Sequence, residues 1–349
     1  MRRAGPESVG PDLPGLDLDR LGKYLDQRTP GLVVGELRAE LLVGGRSNLT
    51  YAVTDGTSRW VLRRPPLGHV LATAHDMARE FRVLTALGPV GFPVPPTVLL
   101  CSDPAVLGAP FYLMGQVDGM IYRDPDELER LGPNRVHVLG LSLVETLADL
   151  HAVRPEEVGL ADFGRLDGYN DRQVRRWKRQ LDASRSRDVP GIERLHDRLA
   201  AAVPGCEAGT IVHGDFRLDN VLVGPAGEIR AVLDWEMSTL GDPLSDLALM
   251  LVYAGRPMLD AVGAARSALA VAGHPDTAEI TEHYARRSGR DTSGLRWYVA
   301  FAAFKLAVIL EGVHYRYVHG QTVGPGFERI GAQVVPLVRQ AHETLDGVV

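Results

Sequence analysis

The chain has 349 residues, 45% of them hydrophobic and 23% charged, with a formal net charge of -6. That size and mix allow a substantial buried core and exclude disorder, while the negative balance speaks against a dedicated nucleic-acid binder, so any phosphate site must be locally basic. The two cysteines, Cys101 and Cys206, stand far apart and outside any Cys/His cluster. They support neither a disulfide framework nor a zinc site, and a reducing cytoplasm fits them.

Residues 1–16 are rich in Gly and Pro and are expected to form a flexible N-terminus; MRRAGPESVG carries two arginines, but the apolar stretch of a signal does not follow. In LDLDRLGKYLDQR the apolar residues recur at helical spacing and predict a short opening helix. LRAELLVGG, LTYAVTD and SRWVLR are separated by Gly-containing turns and predict an antiparallel meander. A helix is predicted from about Thr73 to Leu87, then strands at TVLLC and PFYLMGQ, so the first 115 or so residues amount to a five-stranded sheet with one helix. From about Pro125 the pattern is mostly helical, broken by a strand-and-loop block from Thr210 to Asp234. GQVDG near Gly115 is the expected connection, giving a β-rich lobe over 17–115 and a larger helical lobe over 116–349. The longest apolar run, Trp297 to Leu310, is interrupted by Lys305 and too short to span a bilayer, so it reads as a buried helix and no membrane segment is expected.

IVHGDFRLDNVLV followed by EIRAVLDWE is the most informative passage, with Asp215, Asn220 and Asp234 as its polar fixtures. Phosphoryl transfer needs a carboxylate that orients the attacking hydroxyl and takes its proton, together with oxygen ligands that hold magnesium on the transferred phosphates. Asp215 suits the first task. Asn220, at the end of the loop, and Asp234, at the end of the next strand, suit the second, and a hairpin would bring them together. Each residue alone is more often a turn former; the ordered set, with a matching upstream lobe, carries the reading.

HGDFRLDN followed by LDWE resembles the catalytic loop and metal-binding aspartate of the aminoglycoside phosphotransferase and choline kinase superfamily, relatives of the protein kinases. The fuller string, continuing as LDWEMSTLGDPLSDLA, is most similar to the subgroup associated with acyl-CoA dehydrogenases, and the resemblance runs from about Gly44 to Tyr317. It implies an α+β, protein-kinase-like two-lobe fold, with a small β-rich N-terminal lobe that binds the nucleotide and a larger, mainly helical C-terminal lobe that carries the catalytic loop and the acceptor site. ATP and Mg2+ are the implied cofactors.

Residue by residue, the resemblance gives Arg217 the place of a kinase lysine whose charge would offset the γ-phosphate, although a solvated loop arginine is an equal alternative. His213 is assigned to orienting the loop and Asp246 to bracing it from behind; Asp242 reads as an N-cap with Pro243 at the first helical position. Glu236 is a minor metal candidate. Upstream, Gly45, Ser47 and Asn48, with Gly44, lie in the turn that resembles a phosphate cover, where a glycine pair between strands is usually only a hairpin. Arg63 matches the position of the kinase lysine that touches the α- and β-phosphates, with Arg64 as the fallback if the register slips by one. Glu80 matches the helix glutamate that pairs with this cation, against the alternative of a solvated face shared with Arg79 and Arg82. Gln116 and Val117 resemble the hinge whose main-chain atoms bond the adenine edge, and Met114 reads as core filler.

The acceptor is less legible. Arg175, Arg176, Trp177, Lys178, Tyr315 and Arg316 fall in segments resembling the acceptor-side helices, and such basic clusters suit an anionic hydroxyl compound better than a polycationic aminoglycoside. Kinship with the acyl-CoA dehydrogenase-associated subgroup suggests a hydroxyacyl thioester. The competing expectations are an aminoglycoside O-phosphotransferase, a nucleotide-binding pseudokinase that scaffolds a partner, and an aspartyl-phosphate hydrolase with Asp215 as nucleophile.

Overall fold

Local capping and strand alternation account for most of the architecture in the computed structural model, which describes residues 13–42, 48–67, 76–206, 209–255, 271–322 and 326–347. The chain divides into two compact units, Met1–Val117 and Asp118–Val349.

In the first unit, helix α1 (Leu18–Arg28) starts at Asp17, whose carboxylate accepts the Arg20 N–H. Strands β1 (Arg38–Leu41), β2 (Leu49–Thr54) and β3 (Arg59–Arg64) form the predicted meander. Helix α2 (Met77–Leu87) follows, then β4 (Thr97–Cys101), the single-turn helix α3 (Pro104–Leu107) and β5 (Phe111–Gly115). The described part of α2 begins behind the Asp76 cap rather than at Thr73, and residues 73–75 lie outside the described residues. The sheet is antiparallel, with strand order β1-β2-β3-β5-β4, so the last strand in sequence enters the middle of the sheet. Asp55 closes the β2–β3 turn by accepting the N–H groups of Ser58, Val34 and Thr57, bonds that hold its pKa down at about 2.

Alternation then sorts the side chains of the sheet. On one face Tyr51, Val53, Trp60, Leu62, Phe111 and Leu113 pack with Leu21 and Leu25 of α1 into a sealed core. Arg64 shares that side, buried, and donates to the carbonyls of Gly15 and Leu107, at 2.8 Å to the latter. The opposite face carries Val61, Arg63, Tyr112 and Met114 and packs against α2, where Phe81 meets the Tyr112 ring.

The second unit opens with α4 (Pro125–Glu129), α5 (Pro133–Ala152), α6 (Tyr169–Ser184) and α7 (Ile192–Ala201). Four short strands follow, β6 (Thr210–Val212), β7 (Val221–Val223), β8 (Ile229–Val232) and β9 (Thr239–Gly241), paired antiparallel as β6–β9 and β7–β8. Helices α8 (Pro243–Ala254), α9 (Thr277–Ser288), α10 (Leu295–Val318) and α11 (Val334–Asp346) complete the unit. The N-cap of α8 is Asp242, with Pro243 in its first turn, as the residues predict. The 24-residue α10 is long and apolar enough by composition to cross a membrane, but 67% of its most apolar window is buried within the protein. It packs against α6, α7, α8 and α11 as the core helix of the unit, and its run of small and aromatic residues makes room for neighbours on several sides.

Candidate active site

The hairpin of β7 and β8 sets the frame of the site. Val221 pairs with Val232, and beyond that rung the Leu233 N–H donates to the Asn220 carbonyl at 2.8 Å. Asn220 just before β7 and Asp234 just after β8 therefore leave the same end of the hairpin. Asp234 sits at φ 64°, ψ 63°, the one non-glycine with positive φ among the described residues. Asp tolerates this left-handed conformation better than most L-residues, yet the position still carries strain, and it re-aims the side chain at the strand end.

Asp215 and Asn220 are joined directly. The Asn220 side-chain amide donates to the Asp215 carbonyl at 2.9 Å and to Asp215 Oδ2 at 3.0 Å. Both partners are acceptors, which fixes the orientation of the amide: Nδ2 faces Asp215 and the carbonyl Oδ1 points elsewhere, with no protein donor on it among the described residues. That leaves a hard oxygen donor on Asn220 and a carboxylate on Asp234 at one end of the hairpin. Such a set suits magnesium, which takes one or two protein oxygens and completes its shell with phosphates and water.

The loop before Asp215 is held by its backbone. Asp246, buried on α8, accepts the His213 N–H at 2.6 Å and the Gly214 N–H at 2.8 Å, which is the bracing role expected of it. Burial works to raise the Asp246 pKa, but hydrogen bonds from His151 and from the Gly214 amide outweigh it and hold the pKa below the usual carboxylate value. His151 lies 3.5 Å from Asp246 and 2.7 Å from the Tyr284 hydroxyl, and burial drives its own pKa down. His213 spends both ring nitrogens on the backbone: Nε2–H donates to the Leu233 carbonyl at 2.9 Å, and Nδ1 accepts the Asp215 N–H at 3.3 Å. It orients the loop and has no lone pair left to act as a base. Gly214 has φ +84°, and a Cβ there would come within 2.7 Å of the Met237 carbonyl, so only glycine fits between the histidine and the aspartate.

Three side chains depart from simple expectation. The Arg217 guanidinium makes a bidentate ion pair with Asp219 and lies 4.6 Å over the Tyr253 ring, so its charge is already matched inside the loop. Tyr253 was invisible in the sequence; burial, followed by the nearby Asp215 carboxylate, raises its pKa and keeps the phenol protonated. Lys305 is a third, marked in the sequence only as the lone charge inside an apolar run. It donates from α10 to the Gly214 carbonyl at 3.0 Å.

In the first unit a second polar cluster forms around Glu80, which is buried on α2. Arg63 Nε lies 3.0 Å from Glu80 Oε2, the Tyr112 hydroxyl donates to the same oxygen at 3.0 Å, and Asn48 Nδ2 donates to Oε1 at 3.3 Å. Arg63 and Tyr112 are directly opposite in the β3–β5 register, which is why the tyrosine joins. Of the two adjacent arginines, Arg63 meets the glutamate and Arg64 turns into the core. Gly45 and Ser47 lie outside the described residues. The Gln116 N–H extends the sheet by donating to the Arg59 carbonyl at 3.1 Å, which removes that group from the adenine contact expected of it; Val117, next along the chain, is half-buried.

Among the acceptor-side candidates, Lys178 is paired with Asp182 at 2.5 Å and Glu193 at 3.4 Å, and Tyr315 stacks on His319 at 4.1 Å. Trp177 instead presents its ring to two cations, Arg176 at 5.8 Å and Lys305 at 5.5 Å.

A sheet unit with a strand arginine on a helix glutamate, followed by a helical unit with an HGD loop and an aspartate at the end of a hairpin, defines a phosphotransferase of the kinase-like fold. Residues 38–289 match the phosphotransferase enzyme family known as APH, and the chain belongs to that family. It is 37% identical to acyl-CoA dehydrogenase family member 11 of Gallus gallus over 94% of its own length and 43% of that protein's, and 37% identical to member 10 of Mus musculus over 87% and 29%. The chain thus spans less than half of the length of these relatives. A solved structure from Ralstonia eutropha, of a protein assigned to the aminoglycoside phosphotransferases, matches at 30% identity with a TM-score of 0.82, covering 95% of this chain and 98% of that one. At 15% identity and a TM-score of 0.62, covering 93% and 98%, an APH(4)-Ia aminoglycoside phosphotransferase solved with AMP-PNP and hygromycin B shares the fold.

Proposed function

We propose that this chain moves the γ-phosphate of ATP, with magnesium, to the hydroxyl of a small anionic metabolite such as a hydroxyacyl thioester. One observation carries the reading: Asn220 is clamped to Asp215 through its amide nitrogen, which leaves its carbonyl oxygen at the same hairpin end as Asp234. In this reading Asp215 accepts the hydrogen bond of the acceptor hydroxyl, aligns its oxygen with the phosphorus, and receives the proton as the new P–O bond forms and the γ-phosphorus bond to the oxygen leaving with ADP breaks. Asn220 and Asp234 would hold magnesium, which would supply charge neutralisation on the transferred phosphate when bound. Arg63, steadied by Glu80, Tyr112 and Asn48, meets the α- and β-phosphates; its fork allows a two-point contact where a lysine would give one. Val117 and the Gln116 carbonyl remain the candidates for the adenine edge. Arg217, neutralised by Asp219, shapes the loop more than it offers free charge to the phosphate.

The relatives named for acyl-CoA dehydrogenases support an acyl thioester as acceptor, and the arginines of α6 favour an anion over a polycation. The test is purified protein with ATP and magnesium against a panel of hydroxyl metabolites that begins with hydroxyacyl thioesters, read as a phosphorylated product by mass spectrometry. Magnesium-dependent ATP binding with no product across the panel would favour a scaffold instead. A phosphate trapped covalently on Asp215 would favour the hydrolase.

A further inference from the structure

The ammonium of Lys305 is an unusual object within a helix whose neighbours are almost all apolar. Phe304, Leu306, Ala307 and Val308 are buried around it, while Lys305 itself is half-buried. Its Nζ carries three N–H donors. Among the described residues the Gly214 carbonyl takes one at 3.0 Å and the Trp177 ring lies 5.5 Å away, so donor capacity and charge are left over. Lys305 has no ion pair within 4.0 Å among the described residues, although it binds the residue next to Asp215. A partly desolvated cation without a full partner is costly, and an anionic ligand would offset that cost. Arg176 also lies against that ring, 5.8 Å from its centroid, and its charge acts on Lys305, so two cations converge on one indole.

We infer that Lys305 and Arg176, set on the Trp177 ring, seat an anionic oxygen group of the phosphate acceptor, a carboxylate or a phosphate, while its hydroxyl reaches Asp215. This rests on the role given to Asp215 above. It adds the specificity determinant that the α6 arginines alone do not supply. The charges around the seat fit the assignment: burial lowers the Lys305 pKa, Asp215 and Asp246 raise it, and Arg176 lowers it further. An arriving anion would therefore tighten the hold on the proton, and anion binding would weaken on the alkaline side as the ammonium is lost.

The experiment compares short-chain hydroxycarboxylic acids with their carboxamides, and diol phosphomonoesters with the parent diols, as calorimetric ligands in the presence of ADP and magnesium. Wild type should bind at least one anionic class about tenfold or more tighter than its neutral match, the effect of one unshared charge contact. Lys305→Met should collapse that ratio to within about twofold, Lys305→Arg should restore most of it, and Arg176→Gln should lower it about threefold. A purely structural role at the Gly214 carbonyl would weaken acid and amide alike and leave the ratio intact. Should Lys305→Met fail to fold by circular dichroism, the Arg176→Gln ratio decides. Equal binding of anionic and neutral members by wild type overturns the proposal, as does an unchanged ratio in Lys305→Met, or a loss in that variant confined to a non-hydrolysable ATP analogue. If anions bind as stated but no hydroxyl compound is phosphorylated, the seat stands and the transfer reading falls; if transfer occurs without discrimination, the reverse holds.

Discussion

Around Glu80, four side chains from β3, β5, α2 and the residue before β2 hold one another, whereas around Asp215 the anchors act on the main chain. Asp246 binds two backbone N–H groups and Lys305 a carbonyl, and the Asp215 carboxylate, proposed to be the reacting group, accepts the Asn220 amide on one oxygen. The first arrangement depends on rotamers of long side chains and its failures should show in nucleotide affinity. The second separates holding from reacting, so changes at the reacting residues should alter turnover with little effect on the fold, and changes at the anchors should do the opposite first.

The sharpest way to break that contrast is Asp215→Asn. Turnover should fall by roughly 10²–10⁴-fold while binding of ATP by calorimetry stays within about threefold. An Asp215→Asn protein with full turnover would remove the base from the mechanism. Asp246→Ala should act on folding instead, since two buried N–H groups lose a charged acceptor; a loss of about 3 kcal/mol in urea unfolding is expected. Glu80→Gln should raise the KM for ATP about tenfold, an effect near 1.4 kcal/mol. Arg64→Met serves as its control, lowering stability through the lost bonds to Gly15 and Leu107 while leaving that KM in place. Asp234→Gly relieves the left-handed strain and should stabilise the fold by up to about 1 kcal/mol while abolishing magnesium-dependent activity, a trade-off an ordinary structural turn would not show.

The smallest expected effect is on pH. The folded pKa of His151 is lowered, so below its unfolded value the unfolded chain binds a proton that the native chain refuses. Native stability should therefore decline as pH falls through roughly 6.5, the unperturbed histidine value. The lowered Asp246 pKa adds a second loss only at lower pH, where the unfolded carboxyl protonates first. Thermal melts from neutral to pH 5 should show the decline, and His151→Gln should flatten it.

Much of the fold was legible because its signals are local. Asp17, Asp76 and Asp242 announce helix starts, and the alternation in SRWVLRR separates Arg63 from Arg64 before any pairing is known. The hairpin that joins Asn220 to the end of β8 follows from two short apolar strands around a turn. Tyr112, Tyr253 and His151 were not legible, because each acts on a residue far away in sequence and nothing in its neighbours marks it. The register of β3 on β5 brings Tyr112 to Arg63, and that register depends on β5 crossing to the middle of the sheet.

By itself the sequence singled out Asp215, Asn220 and Asp234 as the set proposed to carry the chemistry, since loop spacing and residue type are local properties of the chain. Tertiary structure alone decided which groups remain available. It committed Arg217 to Asp219 and the Gln116 N–H to Arg59, pinned the Asn220 amide so that its oxygen is spared, and left Lys305 beside Trp177 with charge to share. Hydrogen-bond capacity is used up by neighbours in space, and those neighbours are set by packing rather than by order along the chain.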